Sequence, residues 1–237
     1  MPSAASSLDF SRFSCLTFDC YGTLIDWETG ILLALRPLLQ FHGLELADNK
    51  IIELYAELEL AAEKRSYRSY REILKGVVIG FGDRLGFRPS LQDINSLPDS
   101  LPLWPPFPDT VAALRNLKTR YRLAVISNTD DDLFAHTARL LQVPFDWVIT
   151  AQQARSYKPS YTIFRLALDR IALPKEKILH VAESRRHDIA PARELGLATV
   201  WVNRHAGKKA PSASGSGDAR PDLEVPDMQS LARLAMG

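Results

Sequence analysis

Five short apolar runs rich in β-branched residues recur along the chain: "CLTFD" (15–19), "RLAVISN" (122–128), "WVIT" (147–150), "ILHVAES" (178–184) and "ATVWVN" (198–203). Each is continuous rather than alternating, as strands buried on both faces must be, and polar residues and then a helix-like stretch follow it. That rhythm predicts an α/β fold with a doubly wound, Rossmann-like parallel sheet and crossover helices. "DTVAALRNLKTR" reads as one such helix, N-capped by Asp109, and "DDLFAHTARLLQ" as a second. "PSYTIFRLALDRI" reads as a third, with Pro159 suited to its first position.

The pattern changes between the first and second strands. "DNKIIELYAELELAAEK" and "YREILKGVVIGFGDRLG" carry helical periodicity without strands, and "LPLWPPFPD" (101–109) holds four prolines, the mark of a stiff linker. The expected organisation is a sheet-based core of residues 1–26 and 105–237, with a helical cap, residues 27–104, inserted after the first strand. A tail, "RHAGKKAPSASGSGDARPD", is rich in Gly, Ser, Ala and Pro and reads as a mobile loop.

A chain of 237 residues, 46% hydrophobic and 24% charged, can bury a sizeable core without staples. A formal charge of +1 argues against a nucleic-acid partner. The densest basic group, Lys64, Arg65, Arg68 and Arg71, reads as a solvated helix face. Cys15 and Cys20 point to opposite sides of the first strand and are not expected to pair. No apolar run nears the roughly 20 residues of a membrane span, and "MPSAASSLDFSRF" lacks a secretory pattern. The expectation is a cytoplasmic protein with no membrane partner; apolar cap helices make a homodimer reasonable.

In open parallel sheets the ligand crevice lies beyond the carboxyl ends of the strands. Here those ends carry Asp19, then Ser127 and Asn128, then a loop with Lys158, then Glu183, Ser184 and Asp188. Singly, each reads as a cap or a surface group; together they point to one site.

The motifs "FDCYGTL" (18–24), "ISN" (126–128), "SYKPSYTIF" (156–164) and "HVAESRRHD" (180–188) resemble, in order and spacing, the four motifs of the haloacid dehalogenase superfamily over nearly the whole chain. The resemblance implies that Asp19 is a covalent nucleophile, that Lys158 keeps it ionised, and that Ser127 and Asn128 donate hydrogen bonds to a small-molecule substrate. Phosphatases of the superfamily carry D-x-D, whose second acid protonates a poor leaving group. This chain has D-C-Y, and Tyr21 with Thr23 resembles the 2-haloacid dehalogenase branch, in which halide leaves unprotonated and no metal or cofactor is required. Asp188 joins the implied catalytic set, and Tyr21, Thr23, Asn128, Glu183 and Ser184 the substrate-binding set.

The chain departs from that branch in several places. A cap arginine is expected near "LYAELEL", where the position is Ala56, and a tyrosine six residues beyond the lysine is Phe164. Glu183 and Asp188 stand where the phosphatases have an acidic pair. A magnesium phosphohydrolase, with Mg2+ on Asp19, Glu183 and Asp188, is therefore the alternative, while a structural ion pair of Glu183 with Lys158 or Arg185 would leave no metal. His187 reads as a helix cap or a neighbour of the site. A catalytically silent interaction protein on the same fold is the third reading.

Overall fold

The computed structural model describes residues 8–206 and 219–237. Both the opening residues and most of the Gly/Ser-rich tail, for which a mobile loop is expected, fall outside the described residues. Among the described residues, six strands form one parallel sheet: β1 (Cys15–Phe18), β2 (Arg122–Ser127), β3 (Trp147–Thr150), β4 (Ile178–Ala182), β5 (Ala198–Val202) and β6 (Leu223–Val225). Their spatial order is β3-β2-β1-β4-β5-β6, the doubly wound arrangement in which the strand order reverses beside β1. β6 was not anticipated; "LEV" is too short for an apolar run to register.

The strand interiors are almost wholly buried, which is why the sequence shows continuous apolar runs. Register decides what happens at the edge. Phe18 lies level with Val125 on one side and Val181 on the other, so the next residue, Asp19, leaves the sheet between two strand ends.

Four helices intervene between β1 and the second half of the core: α1 (Trp27–Phe41), α2 (Asp48–Glu63), α3 (Tyr70–Leu85) and α4 (Leu91–Ser100). The chain enters and leaves them through two linkers that run side by side. Asp26 N donates to Pro105 O at 2.8 Å, and Phe107 N to Leu24 O at 3.1 Å. The proline-rich exit is anchored rather than merely stiff, because the buried Trp104 lies flat on α1 at Gly30. A Cβ there would come within 2.3 Å of the indole Cγ, so only glycine admits the ring.

A second fastening joins cap to core. Ser69 and Glu72 form a capping box at the start of α3, and the Asp130 carboxylate, from the loop after β2, accepts from Tyr70 N and Arg71 N at 2.9 Å each. Arg71 then reaches Asp132 at 2.8 Å, whereas Lys64, Arg65 and Arg68 stay exposed as a solvated face.

On the core, α5 (Thr110–Lys118), α6 (Asp131–Leu141), α8 (Tyr161–Ile171) and α10 (Met228–Met236) cover the sheet, with short turns α7 (Ala151–Ala154) and α9 (Ala190–Glu194) between strands. Two helix starts differ from expectation. Asp109 does not cap α5; its carboxylate accepts from Met228 N and Gln229 N of α10 and from Arg204, because α10 packs alongside. Pro159 is not a first helical residue either: α8 begins at Tyr161 with Ser160 as its cap. Cys15 and Cys20 are buried free thiols. Among the described residues no helix is long and apolar enough to cross a membrane.

Candidate active site

Lys158 is the hub of the strand-end cluster. Its side chain is 2% exposed, and its ammonium donates to Asp19 Oδ1 at 2.7 Å, Asp188 Oδ1 at 2.7 Å and the Ile126 carbonyl at 3.0 Å. Three acceptors for three N–H bonds are the full complement of an ammonium. Burial alone would discharge the lysine, but the two carboxylates outweigh it and push the amine above its ordinary range. Asp188 shows the reciprocal effect: burial opposes ionisation, yet Lys158 and His180 hold the carboxyl below the usual range. For Asp19, burial is the largest influence and pushes it up, while Lys158 and Thr23 pull it back toward the anion.

The second Asp19 oxygen, Oδ2, accepts from Thr23 Oγ1 at 2.6 Å, and Thr23 Oγ1 accepts in turn from Glu183 N at 2.8 Å. The loop "DCYGT" folds back for this contact through Gly22, whose φ of +93° favours glycine.

Asn128 lines the cavity, and its amide is also engaged by neighbours. Its Oδ1 accepts from Lys158 N at 2.7 Å, and its Nδ2 donates to Lys158 O and to Glu63 Oε1, each at 3.3 Å. It clamps the lysine's backbone and touches the cap. Ser127 Oγ, fully buried at the end of β2, has no hydrogen-bond partner and does not line the cavity. Ser184 lines the cavity and caps the π turn Arg185–Ile189 by accepting from His187 N at 3.1 Å. Tyr21 lines it too, but its hydroxyl hydrogen-bonds to Thr137 Oγ1 of α6 at 3.0 Å, and burial pushes the phenol above its ordinary range.

Glu183 pairs differently from either expectation. Lys158 is spent on Asp19 and Asp188, and the Glu183 carboxylate stands 3.8 Å from His205 Nε2. Arg185 donates to the Ala219 carbonyl and lies over the Trp201 ring. Glu183 is also not among the residues that line the cavity. Asp188 Oδ2, buried without a partner, would suit a cation, but among the described residues no three His, Cys, Asp or Glu side chains converge as ligands. The donor set therefore does not fit a magnesium ion held by Asp19, Glu183 and Asp188 together.

Several side chains of the site were not foreseen. His180 on β4 is fully buried, bonded through Nδ1 to Thr17 Oγ1 at 2.9 Å and through Nε2 to Asp188 Oδ1 at 3.1 Å. The Phe164 ring packs edge-on against it at 5.4 Å, so the residue lacking the expected hydroxyl supports an imidazole that reaches the same cluster. The signal was a lone histidine inside an apolar strand. His187, by contrast, is the neighbour of the site that one of its two sequence readings gave: it lines the cavity with its Nε2 unpartnered, and burial pushes its pKa down to about 4. From the cap come Tyr55, Glu59 and Glu63, spaced four apart on α2, with Trp27 and Tyr70 beside them. These residues and Trp104 close a cavity of about 160 Å³ over Asp19 and Lys158.

A family model described as haloacid dehalogenase-like hydrolase matches residues 13–196. The chain belongs to that family. It is a hydrolase. It is 26% identical over 227 residues to the (S)-2-haloacid dehalogenase H-109 of Pseudomonas putida, covering 92% of this chain and 95% of that one. It is 30% identical over 132 residues to the haloacetate dehalogenase H-2 of Moraxella sp. (strain B), where the match spans 54% of this chain and 56% of the relative. The solved L-2-haloacid dehalogenase from Xanthobacter autotrophicus superposes with a TM-score of 0.80 at 21% identity, over 95% of this chain and 99% of that one, which establishes the shared fold.

Proposed function

We propose that this hydrolase releases halide from a small α-halogenated carbonyl compound through a covalent ester on Asp19, without a metal ion. The observation that carries the reading is the placement of the Asp19 carboxylate: at the cavity floor, held by Lys158 at 2.7 Å and Thr23 at 2.6 Å, with no second carboxyl at position 21. A leaving group that departs as an anion needs no proton, so a site with a phenol turned onto Thr137 in place of an acid suits carbon–halogen cleavage.

In the first step an Asp19 oxygen forms a bond to the halogen-bearing carbon as the carbon–halogen bond breaks, and halide leaves with the electron pair. Lys158 and Thr23 orient the carboxylate before attack, which converts much of the entropic barrier into folding energy. In the second step water adds to the ester carbonyl of residue 19 and its proton passes to Asp188 Oδ2, the acceptor without a partner. Collapse breaks the bond between the carbonyl carbon and the substrate's oxygen, which takes the adduct's remaining hydroxyl proton and leaves as an alcohol; the Asp19 carboxylate is restored, and Asp188 gives up its proton to solvent. The net change is exchange of halide for hydroxyl, with one proton released.

Single turnover in heavy-oxygen water tests this directly. The label is expected in the peptide containing Asp19, with unlabelled hydroxyl in the first product formed. Label appearing at once in the product, with none on residue 19, refutes the covalent step. Running halide and phosphate release side by side with magnesium and with chelator separates the alternative: phosphate release that requires magnesium replaces this reading with a phosphohydrolase.

A further inference from the structure

The cap wall of the cavity carries the opposite charge from the one that would greet a carboxylate. Ala56 stands at the position where a cap guanidinium is expected and contributes no charge, while Arg65, Arg68 and Arg71 do not line the cavity. The same helix instead presents Glu59 and Glu63. Glu59 is built into place: its Oε1 accepts from Tyr55 OH at 2.9 Å and from Tyr70 OH at 2.5 Å, and the two hydroxyls lie 3.0 Å apart. Two phenols on one oxygen orient the carboxylate as an acceptor. Glu63 is held by Asn128 Nδ2 at 3.3 Å, one turn closer to Lys158.

A second observation points to a ligand that donates. Asp188, 1% exposed and lining the same cavity, keeps Oδ2 without a hydrogen-bond partner. Acidic side chains from both the cap, Glu59 and Glu63, and the core, Asp188, therefore line the cavity. Among the described residues, its cations are Lys158, already saturated by three acceptors, and Arg186.

We propose that the cavity selects substrates whose non-reacting end donates hydrogen bonds, as an amide or an amine does, over carboxylates, with Glu59 and Glu63 as the residues that make the choice. Burial already opposes negative charge on Glu59 and Glu63 and pushes both carboxyls above their usual range, so it opposes a further anion beside them, whereas an N–H donor supplies partners to oxygens that the fold has already desolvated. Burial, followed by the charge of Glu59, pushes the Glu63 carboxyl well above its usual range. A donor in the cavity relieves that strain on the pair.

The inference rests on the reading that Asp19 opens the reaction in this cavity, but binding can be measured without reaction. Fluorine NMR titration of the Asp19→Asn protein with 2-fluoropropionamide and with 2-fluoropropionate compares two ligands of nearly equal shape that differ at one end. The amide is expected to bind at least about tenfold more tightly, and Glu59→Gln with Glu63→Gln in the same background should bring the ratio near one. Each single substitution, checked by urea melting, guards against a double variant that fails to fold. Equal or tighter binding of the acid, no binding of either ligand, or a preference that survives in the glutamine variants overturns the proposal. The label experiment on residue 19 fails or succeeds independently of these outcomes, so the two readings are separated.

Discussion

The core and the cap hold their charges in opposite ways. At the sheet edge, Lys158 binds both Asp19 and Asp188 within hydrogen-bond distance, Thr23 bonds the second oxygen of Asp19, and His180 adds a bond to the Asp188 oxygen that Lys158 already holds. On α2, Glu59 and Glu63 have hydroxyl and amide partners on one side and the cavity on the other. A buried charge that is fully partnered cannot easily move, which is what a nucleophile needs. One that is partnered on a single side remains available to a ligand, which is what selection needs. The difference teaches that chemistry and choice are divided between the two parts of the chain.

The sharpest way to break the core half of this contrast is Lys158→Met. It strands two buried carboxylates without a counter-charge, and a loss of about 3–5 kcal/mol is expected in urea unfolding. A loss under 1 kcal/mol would mean that Asp19 and Asp188 are not held as ions. His180→Phe comes next. It fills the same space but leaves Thr17 and Asp188 short of a partner, at about 2–3 kcal/mol. Its effect on turnover should fall on kcat rather than KM, and should be restored in part by Phe164→Tyr, which returns a hydroxyl beside the vacated imidazole.

On the cap side, Gly30→Ala forces a methyl into the Trp104 indole and should cost about 2 kcal/mol, since a rigid ring braced in a linker cannot retreat far. A neutral result would show that the cap rides loosely on its linkers. The smallest effect belongs to His187, which faces Asp188, Lys158 and Arg186. Its folded pKa of about 4 lies below its ordinary 6.5, so the unfolded chain takes up a proton that the folded one refuses. Stability is intact above about pH 6.5 and declines as pH falls toward 4. About 1–2 kcal/mol of that decline should vanish in His187→Asn, after discounting for the partial exposure of the ring.

Much of this molecule was legible as sequence because its signals are local. Continuous apolar runs mark β1 to β5, helical periodicity marks α2, α3, α5, α6 and α8, and polar residues at strand ends mark the crevice. What escaped notice depended on distant partners. Asp109 reads as a cap of its own helix but serves α10, more than a hundred residues on. Glu59 and Glu63 carry no local signal of a site, and only the packing of the cap over the sheet places them at the cavity. His180 sits unmarked inside an apolar strand, and only its contact with Asp188 joins it to the site.

By itself, then, the sequence determined the parallel sheet, the helical insertion and the set of polar groups that meet beyond the strands, since backbone propensity and hydrophobic period act over a few residues. Which of those groups touch was decided by the tertiary structure alone. An ammonium has three protons to give, and the packing of β1, β2, β4 and the Lys158 loop awarded them to Asp19, Asp188 and a carbonyl rather than to Glu183. No spacing along the chain encodes that assignment, because it follows from distances between segments that only folding brings together.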